Sequence, residues 1–443
     1  MRIQLSEHFT YSKLIRFTLP SIAMMIFTSI YSVVDGFFVS NFAGKTPFAA
    51  VNLIMPFLMI LSAIGFMFGA GGTALVAKTM GEGRHAKANE YFSIIVYFAL
   101  GLGIVISVLG FIFMRPIAEL LGAEGELIQC CVQYGRITII SMPFFILQQM
   151  FQSFFIAAEK PQLGLLVIVI AGILNMILDA VLVLTFPQEL KLAAAAIATV
   201  AAEITGGTIP LIYFFRKNSS LLKLGKTSFY GRALAKSATN GMSEFATNIS
   251  VSIVGVLYNT QLMKYAGETG VAAYGVMMYA SLMFMAIFLG YTMGSAPIIS
   301  YNYGANNKKE LANLIKKGLT IISILGVCML ASAECFAGTL ANIFVGYDGE
   351  LFEMTLSGFR KFALGFLFMG FGIYLSGLFT ALNDGITSAA ISLLRTLVFE
   401  CGAVMILPIL LGLEGIWYAV VVAELLAMII GLVVLARRWK KIC

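Results

Sequence analysis

Charged side chains are scarce in this chain of 443 residues. Asp, Glu, Lys and Arg make up 12% of it and hydrophobic residues 60%, whereas an ordinary soluble chain has about 25% charged residues. The mean hydropathy is +0.93, and many apolar runs reach the roughly 20 residues that cross a bilayer. A soluble globular protein is therefore excluded. Because lipid offers no partners to backbone polar groups, the sequence predicts an all-α integral membrane protein.

Histidine is nearly absent and cysteine is sparse. The two histidines, His8 and His85, lie outside the apolar runs, which disfavours histidine-dependent membrane enzymes. The six cysteines lack metal-ligand spacing and are predicted to be free thiols. Segment 72–79 misses the second glycine of a phosphate loop, where it has Ala77. The chain is therefore not expected to be an enzyme or to bind a cofactor, and any active transport would be driven by an ion gradient.

The hydropathy pattern predicts twelve membrane spans. The first is expected to remain as a membrane helix, because Met1 to Lys13 is polar and no small-residue cleavage site follows the first apolar run. The predicted spans are 14–38, 47–77, 91–114, 131–157, 162–185, 192–215, 237–263, 270–300, 315–338, 358–381, 387–411 and 413–436.

Basic residues are concentrated in alternate connections between the spans. Lys and Arg lie at 78–87, 216–236 and 308–317 and in the C-terminal segment 437–441, whereas the opposite connections are poorer in them and carry acids. By the positive-inside rule, both termini are predicted to be cytoplasmic. This placement accounts for the net charge of +7, which is therefore not a sign of nucleic-acid binding.

The two halves of the chain repeat each other. Segment 43–51 matches segment 266–274, and the same spacing of 223 residues pairs Gly71 with Gly294 and Gly81 with Gly304. Both repeats start from the same side, so we expect two six-helix lobes related by a pseudo-two-fold axis along the membrane normal, with a substrate cleft between them. The predicted division is an N-lobe at 1–215, a cytoplasmic basic linker at 216–236 and a C-lobe at 237–443.

Three spans of the N-lobe carry oxygen ligands at a similar depth. Asp35 lies in the outer part of the first span, Asn175 and Asp179 share one face of the fifth, and Thr199 lies in the outer half of the sixth. A carboxylate in hydrocarbon is costly and is usually functional, although Asp35 could instead lie at the headgroup boundary. Hard oxygen ligands suit Na⁺, and two facing acids favour holding a proton. These four residues are the predicted cation site; the alternative is that Asn175 and Asp179 only make interhelical hydrogen bonds.

The acid set is asymmetric although the scaffold is symmetric. The C-lobe positions that match Asp35, Asn175 and Asp179 are Tyr258, Phe399 and Ala403. This asymmetry favours a functional role over a packing role. Glu203 and Glu424, by contrast, occupy matching places in the sixth and twelfth spans, which suggests a scaffold role. The sequence assigns no role to Arg395, Glu334 or Glu400.

A substrate cleft could be lined by residues of the seventh and eighth spans. Glu244 and Asn259 lie in the seventh, and Met278 and Met283 lie in the eighth. Carboxylates attract cations and flexible thioethers adapt to varied ligands. The alternative for the methionines is packing or contact with lipid.

The chain resembles the bacterial form of the multidrug and toxic compound extrusion (MATE) family over nearly its whole length. The features that carry the resemblance are Pro20 fifteen residues before Asp35, the Asn175-x-x-x-Asp179 pair, and the segment AAAIAT that ends at Thr199. The glycines after the second and eighth spans and the basic linker add to it. The resemblance implies export of amphiphilic, often cationic drugs coupled to H⁺ or Na⁺. It also implies that the first helix bends at Pro20.

The sequence thus predicts a cation-coupled antiporter that works by alternating access. Its expected partners are a small organic substrate and membrane lipid, and it is expected to act as a monomer in the bacterial plasma membrane. Two alternatives remain open: a flippase of the same superfamily that moves lipid-linked sugars, and a non-transporting membrane scaffold. The exported compound and the choice between H⁺ and Na⁺ are not encoded in any motif that we recognise.

Overall fold

The computed structural model describes residues 3–39, 42 and 44–443, without the side chains of residues 32, 33, 35–37 and 45. Two π-helical turns, Asp179–Val183 and Leu394–Glu400, interrupt the fifth and eleventh spans. The α-helices are α1 (Tyr11–Phe38), α2 (Lys45–Gly81), α3 (His85–Leu120), α4 (Glu126–Ile139), α5 (Met142–Ala157), α6 (Pro161–Leu178), α7 (Lys191–Phe215), α8 (Gly231–Gly304), α9 (Lys308–Val345), α10 (Gly349–Ala363), α11 (Phe366–Ala381), α12 (Gly385–Leu393), α13 (Cys401–Leu411) and α14 (Leu413–Ile442).

The helices account for every predicted span. Within the described residues, nine helical segments are long and apolar enough to cross a membrane, and two further spans are bent helix pairs. The longest segment, α8, covers the predicted seventh and eighth spans, because its backbone turns at Gly267, where φ is +62°. A positive φ of this kind is easy only for glycine. The all-α membrane fold predicted from the sequence is therefore confirmed.

The fourth and tenth spans are broken, which the hydropathy pattern does not predict. Helices α4 and α5 meet at an angle of 56°, and α10 and α11 meet at 48°. The first break is followed at once by Pro143, which has no N–H to continue the hydrogen bonding of α4. The two broken spans hold equivalent places in the two lobes, so the break belongs to the repeated unit.

Two glycines show the two-fold relation between the lobes. A Cβ atom on Gly81 would lie 2.0 Å from the carbonyl oxygen of Tyr301, and one on Gly304 would lie 2.0 Å from that of Lys78. Lys78 and Tyr301 are themselves 223 residues apart. Each lobe therefore makes the same close backbone contact with the other, as a pseudo-two-fold axis requires.

The connection between the lobes lies on one end of the bundle, which we call the basic face because it carries the Lys- and Arg-rich connections. Residues 216–230 are not helical, and they are fixed to α3. Tyr230 donates a hydrogen bond to Glu90 (2.6 Å), and the N–H of Lys223 donates to Asn89 Oδ1 (2.7 Å). Helix α8 begins at Gly231, inside the predicted linker.

Residues 3–10, here called the N-terminal segment, join the two lobes across the basic face. The N–H of Leu5 donates to Glu159 Oε1 of the N-lobe (2.8 Å), and the N–H of Phe9 donates to Glu310 Oε1 of the C-lobe (2.9 Å). His8 Nδ1 lies 2.6 Å from the other oxygen of Glu310. Because Leu5 and Phe9 are fully buried, the segment is an integral part of the fold.

Candidate cation site

The sixth α-helix ends at the predicted cation site. Asn175 and Asp179 lie one turn apart, and the N–H of Asp179 donates to the carbonyl of Asn175. Their side chains are buried, with relative exposures of 2% and 0%. Asp179 is also the first residue of a π-helical turn. Such turns are rare and occur frequently at functional sites.

The amide oxygen of Asn175 is available to a ligand. Oδ1 is buried, and within the part of the chain that the structure describes it accepts no hydrogen bond. A buried polar oxygen without a partner costs about 1–3 kcal/mol. A small cation or a protonated group placed beside Oδ1 would remove this cost.

Three helices that carry predicted ligands pack together. Helix α6 contacts both α1 and α7. Gly172 permits the approach of α1, since a Cβ atom there would lie 2.6 Å from a ring carbon of Phe27. Thr199 lies on α7, partly buried, and its hydroxyl donates to the carbonyl of Ala195 (3.2 Å). Asp35 lies on α1, but its side chain falls outside the described residues, so a single site formed by all four residues stays a prediction.

Pro20 lies within an unbroken helix. Helix α1 runs from Tyr11 to Phe38 through Pro20, and the hydroxyl oxygen of the next residue, Ser21, is buried without a hydrogen bond to any described residue. The C-lobe packs closely here, since a Cβ atom on Gly290 would lie 2.5 Å from Cα of Ile22. A hinge at Pro20 stays a prediction.

The predicted cleft residues differ in exposure. Glu244 and Met278 are partly buried, whereas Asn259 and Met283 are exposed on the arms of α8. Exposed positions on membrane-spanning arms face either the cleft or the lipid. Their role in substrate binding therefore remains a prediction.

An ion pair in the C-lobe was not predicted from the sequence. Arg395 binds Glu424 through Nε and Nη2 at 2.7–2.9 Å, with side-chain exposures of 9% and 2%. Gly372 leaves room for the pair, because a Cβ atom there would lie 2.8 Å from Cδ of Arg395. An arginine and a glutamate in neighbouring apolar spans were the available signal, since buried charges are usually paired.

A small cavity beside Thr199 was also missed. It measures about 30 Å³, which is enough for a water molecule. Ser141, at the break between α4 and α5, donates a hydrogen bond of 2.5 Å to Glu203 Oε2 at its edge. Its lining includes Met55, Tyr134, Thr138, Phe145, Thr199 and Glu203. Thr199 and Glu203 are four residues apart on α7, so the cavity adjoins the predicted cation site.

Comparison with known proteins gives the class of this chain. Residues 20–181 and 245–402 match the MatE family. The multidrug export protein MepA of Staphylococcus saprophyticus is 25% identical over 427 residues, covering 94% of this chain and 91% of MepA. MepA of Staphylococcus aureus strain MRSA252 is 25% identical over 428 residues, covering 96% of this chain and 93% of the relative.

The fold agrees with that family. A solved outward-facing conformation of a multidrug-resistance MATE transporter of the MOP superfamily superposes with a TM-score of 0.92 at 21% identity, covering 99% of this chain and 97% of that one. The chain belongs to the MATE family of multidrug efflux transporters. It is a multi-pass membrane protein.

Proposed function

We propose that this protein is a cation-coupled antiporter that exports amphiphilic, cationic organic compounds by alternating access. The coupling ion, H⁺ or Na⁺, binds in the N-lobe at Asp35, Asn175, Asp179 and Thr199. Its binding favours the inward-facing state, and substrate is thereby exchanged for the ion. The free energy of coupling is the difference in ion affinity between the two states.

The observation that carries this proposal is the buried pair on α6. Asp179 is fully buried at the start of a π-helical turn, and Asn175 one turn earlier presents an amide oxygen that accepts no hydrogen bond from any described residue. A pair that served only to hold helices together would be expected to use that oxygen in an interhelical hydrogen bond. An oxygen that is paid for by burial and left open suits a small cation.

The contacts between the lobes support alternating access. On the basic face the lobes touch through Gly81, Gly304 and the N-terminal segment. By the positive-inside rule this face is cytoplasmic. A transport cycle then requires these contacts to separate when the cleft opens to the cytoplasm.

The substrate class and location follow from the relatives. The named bacterial relatives are multidrug export proteins, which supports an organic substrate and a place in the bacterial plasma membrane with both termini in the cytoplasm. Arg395 is engaged by Glu424, so it is not open to bind the phosphates of a lipid-linked sugar. This favours drug export over the flippase alternative.

Ethidium efflux from proteoliposomes tests the proposal. The wild-type protein should export ethidium under an imposed H⁺ or Na⁺ gradient, and Asp35→Asn and Asp179→Asn should each abolish export while inserting normally. Glu189→Gln removes one negative charge from an exposed position before α7 and serves as the matched control with wild-type export. Wild-type export by both Asp variants would overturn the site, and export by the wild type without any gradient would overturn the coupling.

A further inference from the structure

Glu203 stands out among the polar residues that the predicted cation site does not use. It lies on α7, four residues after Thr199, and both line the same cavity of about 30 Å³. Its position near α5 is set by Gly207, since a Cβ atom there would lie 2.5 Å from the carbonyl oxygen of Phe144. The close packing of α7 and α5 brings Glu203 to Ser141 at the break in the fourth span.

The break creates a shortage of hydrogen-bond donors. Ser141 Oγ lies 2.8 Å from the carbonyl oxygen of Thr138 and 2.5 Å from Glu203 Oε2. A serine hydroxyl has one proton to donate and two lone pairs that accept. If Glu203 is ionised, the single proton of Ser141 must serve two acceptors. If Glu203 is protonated, it donates to Ser141, Ser141 donates to Thr138, and every group is satisfied.

The surroundings of Glu203 also favour the neutral acid. Much of the cavity wall is apolar and comes from α2 and α5, including Met55 and Phe145. An ionised carboxylate in apolar surroundings is costly, and a protonated one is not. A break in a membrane helix is a common place for an ion or proton site, because the freed backbone groups line a cavity there.

The other titratable groups on the helices packed against this part of α7 are few. Tyr134 on α4 lines the cavity, and Asp179 lies on the π-helical turn that also packs against α7. Arg136 on α4 is turned toward α3, where its Nε donates to the carbonyl of Phe111 (3.2 Å). The equivalent acid of the C-lobe, Glu424, is held by a guanidinium, whereas Ser141 contributes a hydroxyl to Glu203.

We propose that Glu203 is a further proton-carrying carboxylate of the N-lobe, which holds its proton through Ser141 and Thr138 and releases it when substrate binds. The inference rests on the proposed antiport and deepens it, because it names H⁺ as one coupling ion and adds a residue to its site. Release of the proton would leave Ser141 shared between two acceptors, which links the charge of Glu203 to the break between α4 and α5.

Infrared spectroscopy of the purified protein tests the protonation state directly. The wild type at neutral pH should show the carbonyl band of a protonated carboxylic acid that disappears in Glu203→Gln. Ser141→Ala should keep this band but displace its frequency, because the hydrogen-bond acceptor is lost. A spectrum in which neither variant changes the protonated-acid band would overturn the proposal, and Glu189→Gln is the control for loss of one glutamate.

Proton release on addition of ethidium in weakly buffered detergent solution tests the function. Wild type should release protons, Glu203→Gln should release measurably fewer, and Asp179→Asn tests the proposed site independently. Equal release from wild type and Glu203→Gln would overturn the role of Glu203 while leaving the antiport standing. No release from the wild type, together with export driven only by a Na⁺ gradient, would overturn the role of Glu203 in H⁺ coupling. No gradient-dependent export at all would instead contradict the proposed antiport.

Discussion

Arg395 and Glu424 form a bidentate ion pair within the C-lobe, between the π-helical turn that precedes α13 and the middle of α14. Both side chains are nearly inaccessible. The matching acid of the N-lobe, Glu203, is hydrogen-bonded to Ser141 instead. The same position in two repeats therefore serves two different chemical purposes.

We expect Glu424→Gln to destabilise the protein strongly, by about 3–5 kcal/mol, because it leaves Arg395 buried without its counter-charge. The double variant Arg395→Met, Glu424→Leu should recover most of that loss. Thermal unfolding followed by the fluorescence of Trp417, which is buried on the same helix as Glu424, provides the measurement.

An exposed ion pair offers the control for this experiment. Lys361 and Glu414 are paired with side-chain exposures of 25% and 50%, so Glu414→Gln should change stability by less than about 1 kcal/mol. Similar losses for Glu414→Gln and Glu424→Gln would show that the buried pair has no special weight.

The sequence predicted the large features of this fold from simple physical patterns. Twelve apolar runs gave the spans, and the spacing of 223 residues that relates Gly81 to Gly304 gave the two-fold relation. The breaks at Ser141 and Gly365 escaped prediction because hydropathy does not change where a helix bends. A break depends on which backbone hydrogen bonds the neighbouring helices replace, and that is a property of the packed bundle.

The candidate site was predictable only in part. The spacing of Asn175 and Asp179 places them on one helix face from sequence alone, and the structure shows both buried. Glu203 was interpreted as scaffold because it repeats as Glu424, yet a repeated residue need not have a repeated partner. The partners Ser141 and Arg395 come from different spans, and no local pattern specifies them.

Close glycine contacts on the basic face should be essential for joining the lobes. We expect Gly81→Ala to lower the melting temperature and to reduce export, because its Cβ atom would overlap the carbonyl oxygen of Tyr301, and overpacking costs about 1–3 kcal/mol. Gly101→Ala is the matched control, since a Cβ atom on that helical glycine meets no atom within 4 Å. Equal behaviour of the two variants would contradict a tight contact at Gly81.

The N-terminal segment should depend on Glu310. Glu310→Ala removes the acceptor for the N–H of Phe9 and for His8, and hydrogen bonds to a charged group contribute about 1.5–3 kcal/mol each. We expect faster hydrogen–deuterium exchange at residues 3–10 in this variant. Glu119→Gln, which breaks an exposed pair with Arg115, should leave that exchange unchanged. Slow exchange in Glu310→Ala would show that burial of Leu5 and Phe9 alone holds the segment.

Pro20 should govern the rate of the cycle. Pro20→Ala restores a backbone donor to α1 and should stiffen it, so we expect ethidium export to slow several-fold while ethidium affinity changes little. Turnover and binding are measured separately, by efflux and by fluorescence titration. Pro56→Ala in α2 is the comparison for a membrane-helix proline outside the predicted site. A variant whose affinity falls as much as its turnover would argue against a hinge at Pro20.

The most direct test of the central claim is counter-transport driven by substrate alone. Proteoliposomes with an imposed ethidium gradient, and no initial H⁺ or Na⁺ gradient, should accumulate a gradient of the coupling ion in the opposite direction. This ion movement should be absent in Asp179→Asn. Ethidium that crosses the membrane through the wild-type protein without any opposite movement of H⁺ or Na⁺ would contradict the antiport.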